Sequence, residues 1–412
     1  MESPLPVTQA DAVVIGAGAF GLSVGFQLAA LGAGQVVVLD RFAPGSQTSP
    51  RAAGLYKLVQ TDETLTWLAQ SSIEIIRGFS EASGVPLSYV PSGSLLAART
   101  PEHAALVDAE AAASAGWGIE LEQIDAAGVR RLAPYLTGRD IRSAYFVPGD
   151  IYIEEPKSLL EAYVTAIEQL GSHVIGEAPV TGITLETGEV TGVSTPRGDI
   201  ATPLVVDAAG AWARAVGALA GVEVAIAPVR HQLLITRPIA GMSPTEPMAR
   251  VVDASAYLRP ARGGLMMGGM ESDPIGIDPR SDPAFTMADT PLDMQILDGF
   301  IAALGPLTPA LGDTPVAEHR GGLFTMTPDA RFLAGPVPGA LGLWTATGCN
   351  GSGFSISAGI GRALAEWMIG GEPTVDLSSL DPGRFGPGPL DDDELTAAGL
   401  WRYANYYTPQ PV

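Results

Sequence analysis

The chain has 412 residues, 46% of them apolar and 17% charged, with 23 basic side chains against 45 acidic ones and a formal net charge of −22. That is a globular composition, too long for one ordinary core, so two domains are expected and a disordered chain is excluded. The charge excludes nucleic acid and an anionic membrane as partners.

Val13, Val14 and Ile15 form a β-branched run that reads as a buried parallel strand. Gly16, Gly18 and Gly21 follow at G-x-G-x-x-G spacing, with Ala19 and Phe20 between them. The first glycine permits a tight turn, the second lets a pyrophosphate approach the backbone, and the third lets the helix lie close to the strand. An apolar helix over 22–31 would point its N-terminal amides at the phosphates. A second strand over 35–39 ends at Asp40, whose carboxylate can accept ribose hydroxyls. Strand, helix, strand and acid in this order predict a dinucleotide site and leave NAD and FAD open.

The loop 41–54, rich in Pro, Gly, Ser and Thr, is placed to touch the rest of the cofactor. Helical periodicity follows over 65–80, a hairpin is expected over 89–98, and helices over 101–116 and 124–132. The stretch 144–153 reads as strand, turn and strand, followed by a helix over 155–170 and a strand over 173–175. A hairpin over 180–185 and 190–195 precedes a buried strand over 204–208. Strands over 229–236, 249–252, 256–260 and 264–270 suggest a separate antiparallel substrate sheet. A helix over 292–304, a strand over 343–346, a loop over 347–353 and a helix over 354–368 complete the body. In the acidic and aromatic tail, Tyr403 and Tyr407 share a helical face and are expected to pack onto it. His103, His173 and His319 lack metal-ligand spacing, so no metal is expected. The single cysteine, Cys349, and an N-terminus without a basic-then-apolar leader suggest a cytoplasmic protein. No apolar run of about 18 residues predicts a membrane span.

The fold class expected is α/β (α+β overall): a Rossmann-like domain interleaved with an antiparallel-sheet substrate domain. The nucleotide domain would take 10–88, 140–220 and 320–380; the substrate domain 89–139 and 221–319; and a tail 381–412 would pack on the body.

Five motifs stand in order: GAGAFG with Asp40; GSQTSPRAAGL; VVDAAGAWA; YLRPARGGLMMGGME; and GGLFTMTPDARFLAGP followed by ATGCNGSGFSISAGIGRALAEWMIGG. With them, residues 10–375 resemble the D-amino-acid oxidase superfamily of FAD enzymes. Within it the likeness is to sarcosine oxidase-like proteins and the flavin modules of dimethylglycine and sarcosine dehydrogenases. The resemblance implies FAD and hydride transfer to flavin N5 from a carbon next to nitrogen. It implies that Gly16, Gly18, Ala19, Phe20, Gly21, Asp40 and Arg41 hold the ADP half, with Val180 at the adenine. Thr48, Ser49, Arg51, Ala52, Ala53 and Gly54 would line the flavin, and Ala209, Gly210 and Trp212 the pyrophosphate and ribityl chain. Gly348, Asn350, Gly351, Ser352 and Gly353 would precede a helix whose amides stabilise charge at the flavin N1–C2=O edge.

Departures from the resemblance sharpen it. Arg51 stands where relatives carry a flavin-bonded histidine, and Gly322 where others carry a flavin-bonded cysteine, so non-covalent FAD is expected. Met266 replaces a lysine over the flavin that promotes reaction with oxygen. Only Lys57 and Lys157 occur, so no substitute is expected and a dehydrogenase or slow oxidase is favoured. The usual carboxylate anchors are replaced by Phe324, Ser355 and Met270, leaving Arg259 as candidate anchor; otherwise the substrate lacks a carboxylate and meets a pocket of Met266, Met267 and Met270. Tyr257 matches a tyrosine facing the flavin, and His231 is either a base or a structural hydrogen-bonding group. The function expected is oxidation of a secondary or tertiary amine to an imine. The alternatives are a C–OH substrate, or a flavin subunit of a multi-protein dehydrogenase with little activity alone. The partners are a small-molecule amine and, as electron acceptor, oxygen or a redox protein; homo-oligomerisation stays open.

Overall fold

The structure, a computed structural model, describes residues 4–386, 388 and 390–408; residues 387, 389 and 409–412 of the expected tail lie outside them. Its first layer is a six-stranded sheet in the order Leu333–Pro336, Leu343–Thr347, Val205–Asp207, Ala12–Ile15, Val36–Leu39 and His173–Ile175. All its pairs are parallel except the edge strand Leu333–Pro336. Val13, Val14 and Ile15 are buried on both faces at its centre, as a continuous β-branched run requires. Three helices cover one face: Ala19–Ala30, Pro156–Gln169 and Gly353–Gly370. Glu63–Ser83 packs outside the last of them. Glycines let these helices touch backbone to backbone. A Cβ on Gly361 would lie 2.2 Å from Ser23 Oγ, and one on Gly359 2.2 Å from the Leu68 carbonyl oxygen.

The second layer is an eight-stranded sheet: Val316–Met326, Ala227–Thr236, Gly264–Gly269, Ala256–Ala261, Met248–Val251, Ser94–Ala98, Ser143–Val147 and Glu122–Ile124. It is mixed rather than purely antiparallel, because Met248–Val251 runs parallel to Ser94–Ala98. A three-stranded sheet, Gly182–Glu186, Glu189–Thr195 and Gly198–Ala201, extends the hairpin expected there by one strand.

Two local expectations are corrected. The stretch 89–98 is not a hairpin; Ser94–Ala98 is one strand, and Val90 bridges to Tyr152. The strands in 144–153 do not pair with each other. Ser143–Val147 joins the large sheet, whereas Ile151–Tyr152 pairs with Leu55–Tyr56. The chain thus crosses between layers at Asp150, which is buried and accepts from Leu58 N at 2.7 Å and Ser94 Oγ at 2.5 Å. The helix Ala213–Leu219 and the strand Leu333–Pro336 carried no clear periodic signal. Among the described residues no helix is long and apolar enough to cross a membrane.

The helix contact is testable. Gly361→Ala puts a methyl group against Ser23 and is expected to destabilise by about 1–3 kcal/mol. Gly370→Ala, in the same helix with open space around it, should not destabilise. Denaturant midpoints of the two variants check this.

Candidate functional site

Two adjoining hollows lie between the layers. They share Ala19, Phe20, Thr48, Ser49, Gly210 and Ala211. The first opens at the glycine turn. Gly16 has φ +107° and packs so closely that a Cβ would meet the Ala208 carbonyl oxygen at 2.5 Å. A Cβ on Gly21 would lie 1.8 Å from the Gly16 carbonyl oxygen, so strand and helix meet only through glycine. Gly18, the residue before the helix Ala19–Ala30, offers no side-chain cap, and the helix start faces the hollow. Asp40 closes the second strand. Its carboxylate accepts from Ala17 N at 2.7 Å and Phe42 N at 2.8 Å, and its remaining lone pairs are available to the hollow it lines. Burial pushes its pKa up, opposed by these two amides and Arg41. Arg41, Val180, Ala209, Gly210 and Trp212 line the same space. Arg41 is tethered by Nη2 to the Pro283 carbonyl oxygen at 2.7 Å. Trp212 Nε1 is buried without a partner.

The second hollow has the loop Thr48–Gly54 on one side, with Thr48, Ser49, Arg51, Ala52, Ala53 and Gly54 all on its wall. Arg51 holds that loop by donating from Nη1 to the Ser46 carbonyl at 2.7 Å and to the Gln47 carbonyl. The large sheet supplies the facing wall: His231, Leu233, Tyr257, Met270 and the strand segment 320–325. Gly351, Ser352 and Gly353 line one end, where the helix Gly353–Gly370 begins without a side-chain cap. Gly348 and Asn350 do not line it. Asn350 instead shapes the loop, accepting from Thr327 N at 2.9 Å and donating to the Gly348 carbonyl at 2.8 Å. Cys349 is on the wall, its Sγ 3.3 Å from Thr325 N.

His231 is buried between two tyrosines. Nδ1 lies 2.8 Å from Tyr403 Oη and Nε2 2.9 Å from Tyr257 Oη, and the ring stacks on Phe324 with centroids 4.2 Å apart. Burial drives its pKa down to about 3, so the imidazole is neutral, and both nitrogens are committed. It therefore orients Tyr257 rather than acting as a free base. Burial raises the Tyr257 pKa far above the ordinary phenol range, so its hydroxyl stays protonated.

Arg259 is not an anchor within the hollow. Its guanidinium, fully buried, is spent on the Ala53 carbonyl at 2.8 Å, the Pro260 carbonyl at 2.7 Å and Glu154, stacked 4.5 Å from the Tyr152 ring centroid. Met266 packs with Leu233, Ile235 and Ala261, and Met267 in the core on the other side of the sheet; only Met270 of the three lines the hollow. Lys57, one of the two lysines, is buried and lines the hollow, with its backbone N 3.2 Å from Ser355 Oγ and Nζ 3.4 Å from Tyr406 Oη. Arg320, which the sequence sets beside the flavin loop, lines it as well; Arg250, Tyr406 and Tyr407 also line it and were missed. The helical face expected to hold Tyr403 and Tyr407 is corrected: the helix Asp392–Ala404 carries Tyr403, whereas Tyr407 lies in the turn beyond its end, though both pack on the body. No signal marked Tyr406, Lys57 or Arg250.

A family model described as FAD dependent oxidoreductase matches residues 11–367. The chain is 33% identical to the mitochondrial sarcosine dehydrogenase of Homo sapiens over 93% of its own length and 42% of that protein's. It is 30% identical to the formaldehyde-forming 4-methylaminobutanoate oxidase of Paenarthrobacter nicotinovorans, over 93% of this chain and 46% of that one. It thus spans less than half the length of these curated relatives. In fold it is similar to L-proline dehydrogenase from P. horikoshii, with a TM-score of 0.84, 25% identity, and coverage of 94% of this chain and 100% of that one.

The walls fit FAD. Two uncapped helix N-termini face the joined hollows, at Gly18 and at Ser352. Buried polar atoms without partners sit on the walls: Trp212 Nε1 in the first, Thr347 Oγ1 and Arg320 Nε in the second. Such groups are costly unless a ligand meets them. Among the described residues no His, Cys, Asp and Glu cluster could hold a metal.

Asp150 gives a pH test near this site. Burial pushes its pKa up to about 6, against the opposing pull of Ser94, Leu58, Arg250 and Lys57. Because the folded value is above the unfolded one, its stability contribution is full at low pH and lost as pH rises through about 6. Asp150→Asn keeps an acceptor for Leu58 N and a partner for Ser94. Its stability relative to the parent should therefore rise between about pH 4 and 7, by up to about 3 kcal/mol, in denaturation measured across that range.

Proposed function

Because the chain belongs to the DAO family of FAD-dependent oxidoreductases, we propose that it oxidises the C–N bond of a secondary or tertiary amine, an N-methyl or cyclic amino compound, to an imine that water hydrolyses. One observation carries this reading: the wall of the second hollow has Arg51, Lys57, Arg250 and Arg320 and, among the described residues, no carboxylate. A carbon releases hydride readily only when the neighbouring nitrogen has a free lone pair. Positive charge and desolvation both disfavour an ammonium ion and so admit the neutral amine. The two curated relatives act, by their names, on N-methylated amino compounds, which supports the same donor class.

FAD, when bound, supplies the acceptor for the hydride. The chain's residues would hold and orient. Gly16, Gly18, Ala19, Phe20, Asp40, Arg41 and Val180 would take the ADP half, and Ala209, Gly210 and Trp212 its middle. Thr48, Ser49, Arg51, Ala52, Ala53 and Gly54 would flank the ring system, with the amides of Gly351, Ser352 and Gly353 at one edge. Gly21 supports the turn, and Gly348 and Asn350 the loop, from behind. Tyr257, fixed by His231 and Tyr403, offers a hydroxyl to the substrate nitrogen, while Leu233, Met270 and Phe324 exclude water. The cofactor is held without a covalent bond, since Arg51 and Gly322 occupy the attachment positions of relatives.

Anaerobic mixing with a panel of N-methyl amino acids, cyclic imino acids and alcohols tests the reading. Amines should bleach the flavin band and alcohols should not; bleaching by alcohols alone would refute it. The reduction rate should rise with pH through the substrate's own amine pKa. It should show no inflection near 6.5, because His231 does not titrate there. Acid precipitation should release the yellow colour into the supernatant; colour retained in the pellet contradicts non-covalent binding.

A further inference from the structure

We propose that Arg259 and Arg320, which reach out from the large sheet, are positioning residues for the flavin. By holding the carbonyls of Ala52 and Ala53, they make the amides of Ala53 and Gly54 a fixed pair of hydrogen-bond donors for FAD. The inference needs FAD in the hollow and does not depend on which compound is oxidised there.

Most carbonyls of the flavin loop are taken. Arg51 Nη1 donates to those of Ser46 and Gln47. Those of Thr48 and Ser49 accept from the amides of Arg51 and Ala52 at 2.9 and 3.2 Å. Arg320 Nη2 donates to the Ala52 carbonyl at 3.0 Å, and Arg259 Nε to that of Ala53 at 2.8 Å. The Gly54 carbonyl accepts from Ile153 N at 2.9 Å. The amides of Ala53 and Gly54, by contrast, have no acceptor among the described residues. Both residues line the hollow, and Gly54 is buried. A buried N–H without a partner is rare in a folded protein and costly unless a ligand meets it. Because a peptide unit is planar and trans, the direction of one residue's carbonyl fixes that of the next residue's amide. Holding the carbonyls of Ala52 and Ala53 therefore aims these two amides.

Each arginine is itself held. Arg259, fully buried, also donates from Nη1 to the Pro260 carbonyl at 2.7 Å and from Nη2 to the Glu154 carbonyl at 3.0 Å, with Glu154 Oε2 3.3 Å from Nη1. Arg320 Nη1 donates to Glu318 Oε1 at 3.2 Å. A planar guanidinium with several donors can bind a carbonyl and an anchor at once, which a lysine does less rigidly. The loop cannot relax on its other side. Gly54 has φ +72°, and a Cβ there would lie 2.3 Å from the Ile153 carbonyl oxygen. The arginines thus pass the position of the substrate sheet to the loop that flanks the cofactor. Fixed donors stabilise the electron-rich reduced ring more than the oxidised one. The competing account is that the arginines act on FAD by their charge alone.

The double variant Arg259→Met with Glu154→Gln separates positioning from charge. It removes an ion pair whole, so the net charge beside the loop is kept while the bond to the Ala53 carbonyl is lost. Replacing both members of a buried pair is tolerated far better than breaking it. Two measurements are made on the FAD-loaded protein: the flavin midpoint potential, against a reference dye, and amide hydrogen exchange of fragments covering 52–56, by mass spectrometry. In the parent, the amides of Ala53 and Gly54 should exchange slowly although no group of the described chain accepts from them. In the double variant both should exchange roughly 10-fold faster. Its ratio of reduced to oxidised flavin at a fixed potential should fall roughly 10-fold, about 30 mV for a two-electron couple. Arg320→Met should shift both readouts the same way, and it carries the test if the double variant fails to fold or to hold FAD. Arg362→Met, on an exposed helix face and paired with Glu366, should shift neither. FAD content and melting temperature identify the folded variants. Fast exchange in the loaded parent, or unchanged potential and exchange in folded variants, overturns the inference. A lower potential in Arg320→Met with the double variant unchanged assigns the effect to charge and overturns it as well.

Discussion

The close contact between two helices sets the geometry on which everything else depends. Ala19–Ala30 and Gly353–Gly370 come from opposite ends of the chain and pack where Gly361 leaves room only for Ser23. Their N-termini therefore arrive together, with Phe20 3.5 Å from where a Cβ on Gly353 would stand. Both termini lack side-chain caps, and both face the joined hollows. A wider helix pair would separate the two dipole ends, and one cofactor could not meet both. The glycine turn at Gly16 and the glycine contact at Gly361 thus serve the same end from two sides.

Charge is segregated in an unusual sense. The chain carries a net −22, yet the hollow beside the flavin loop is walled by arginines and a lysine without a carboxylate among the described residues. Acidic groups are spent elsewhere: Glu154 on Arg259, Glu271 on Arg230, Asp329 on Arg384. Such a wall disfavours a bound cation. His231, neutral and doubly hydrogen-bonded, adds nothing to that charge.

The nucleotide half was legible because its signals are local. A β-branched run, three glycines and a terminal acid lie within forty residues, and each has a single physical meaning. Tyr257 and His231 were legible through a motif resemblance. Arg259 was expected to be a carboxylate anchor because the usual anchors are replaced and a guanidinium can hold a carboxylate on two hydrogen bonds. The chemistry of a side chain does not say what it meets, however, and Arg259 meets the Ala53 carbonyl and Glu154. Lys57, Arg250 and Tyr406 were illegible for a different reason. Lys57 and Tyr406 are 349 residues apart, and His231 and Tyr403 are 172 apart. No periodicity spans such distances. The hairpin expected over 89–98 failed similarly: strand propensity was right, but the partner strands come from 143–147 and 248–251.

The C-terminal segment is consequently part of the site and not a cover over it. The helix Asp392–Ala404 brings Tyr403 to His231, and the turn after it brings Tyr406 to Lys57 and Ser352. One short segment therefore touches two parts of the hollow's wall: the neutral pair His231 and Tyr257, and the cations Lys57 and Arg250. Displacing it would free His231 Nδ1 and take from Lys57 Nζ the one polar side-chain partner it has among the described residues, exposing both to water. Water would screen the cations. The dryness of the hollow and the strength of its positive charge thus depend on the same few residues of tail, though neither property belongs to the tail alone.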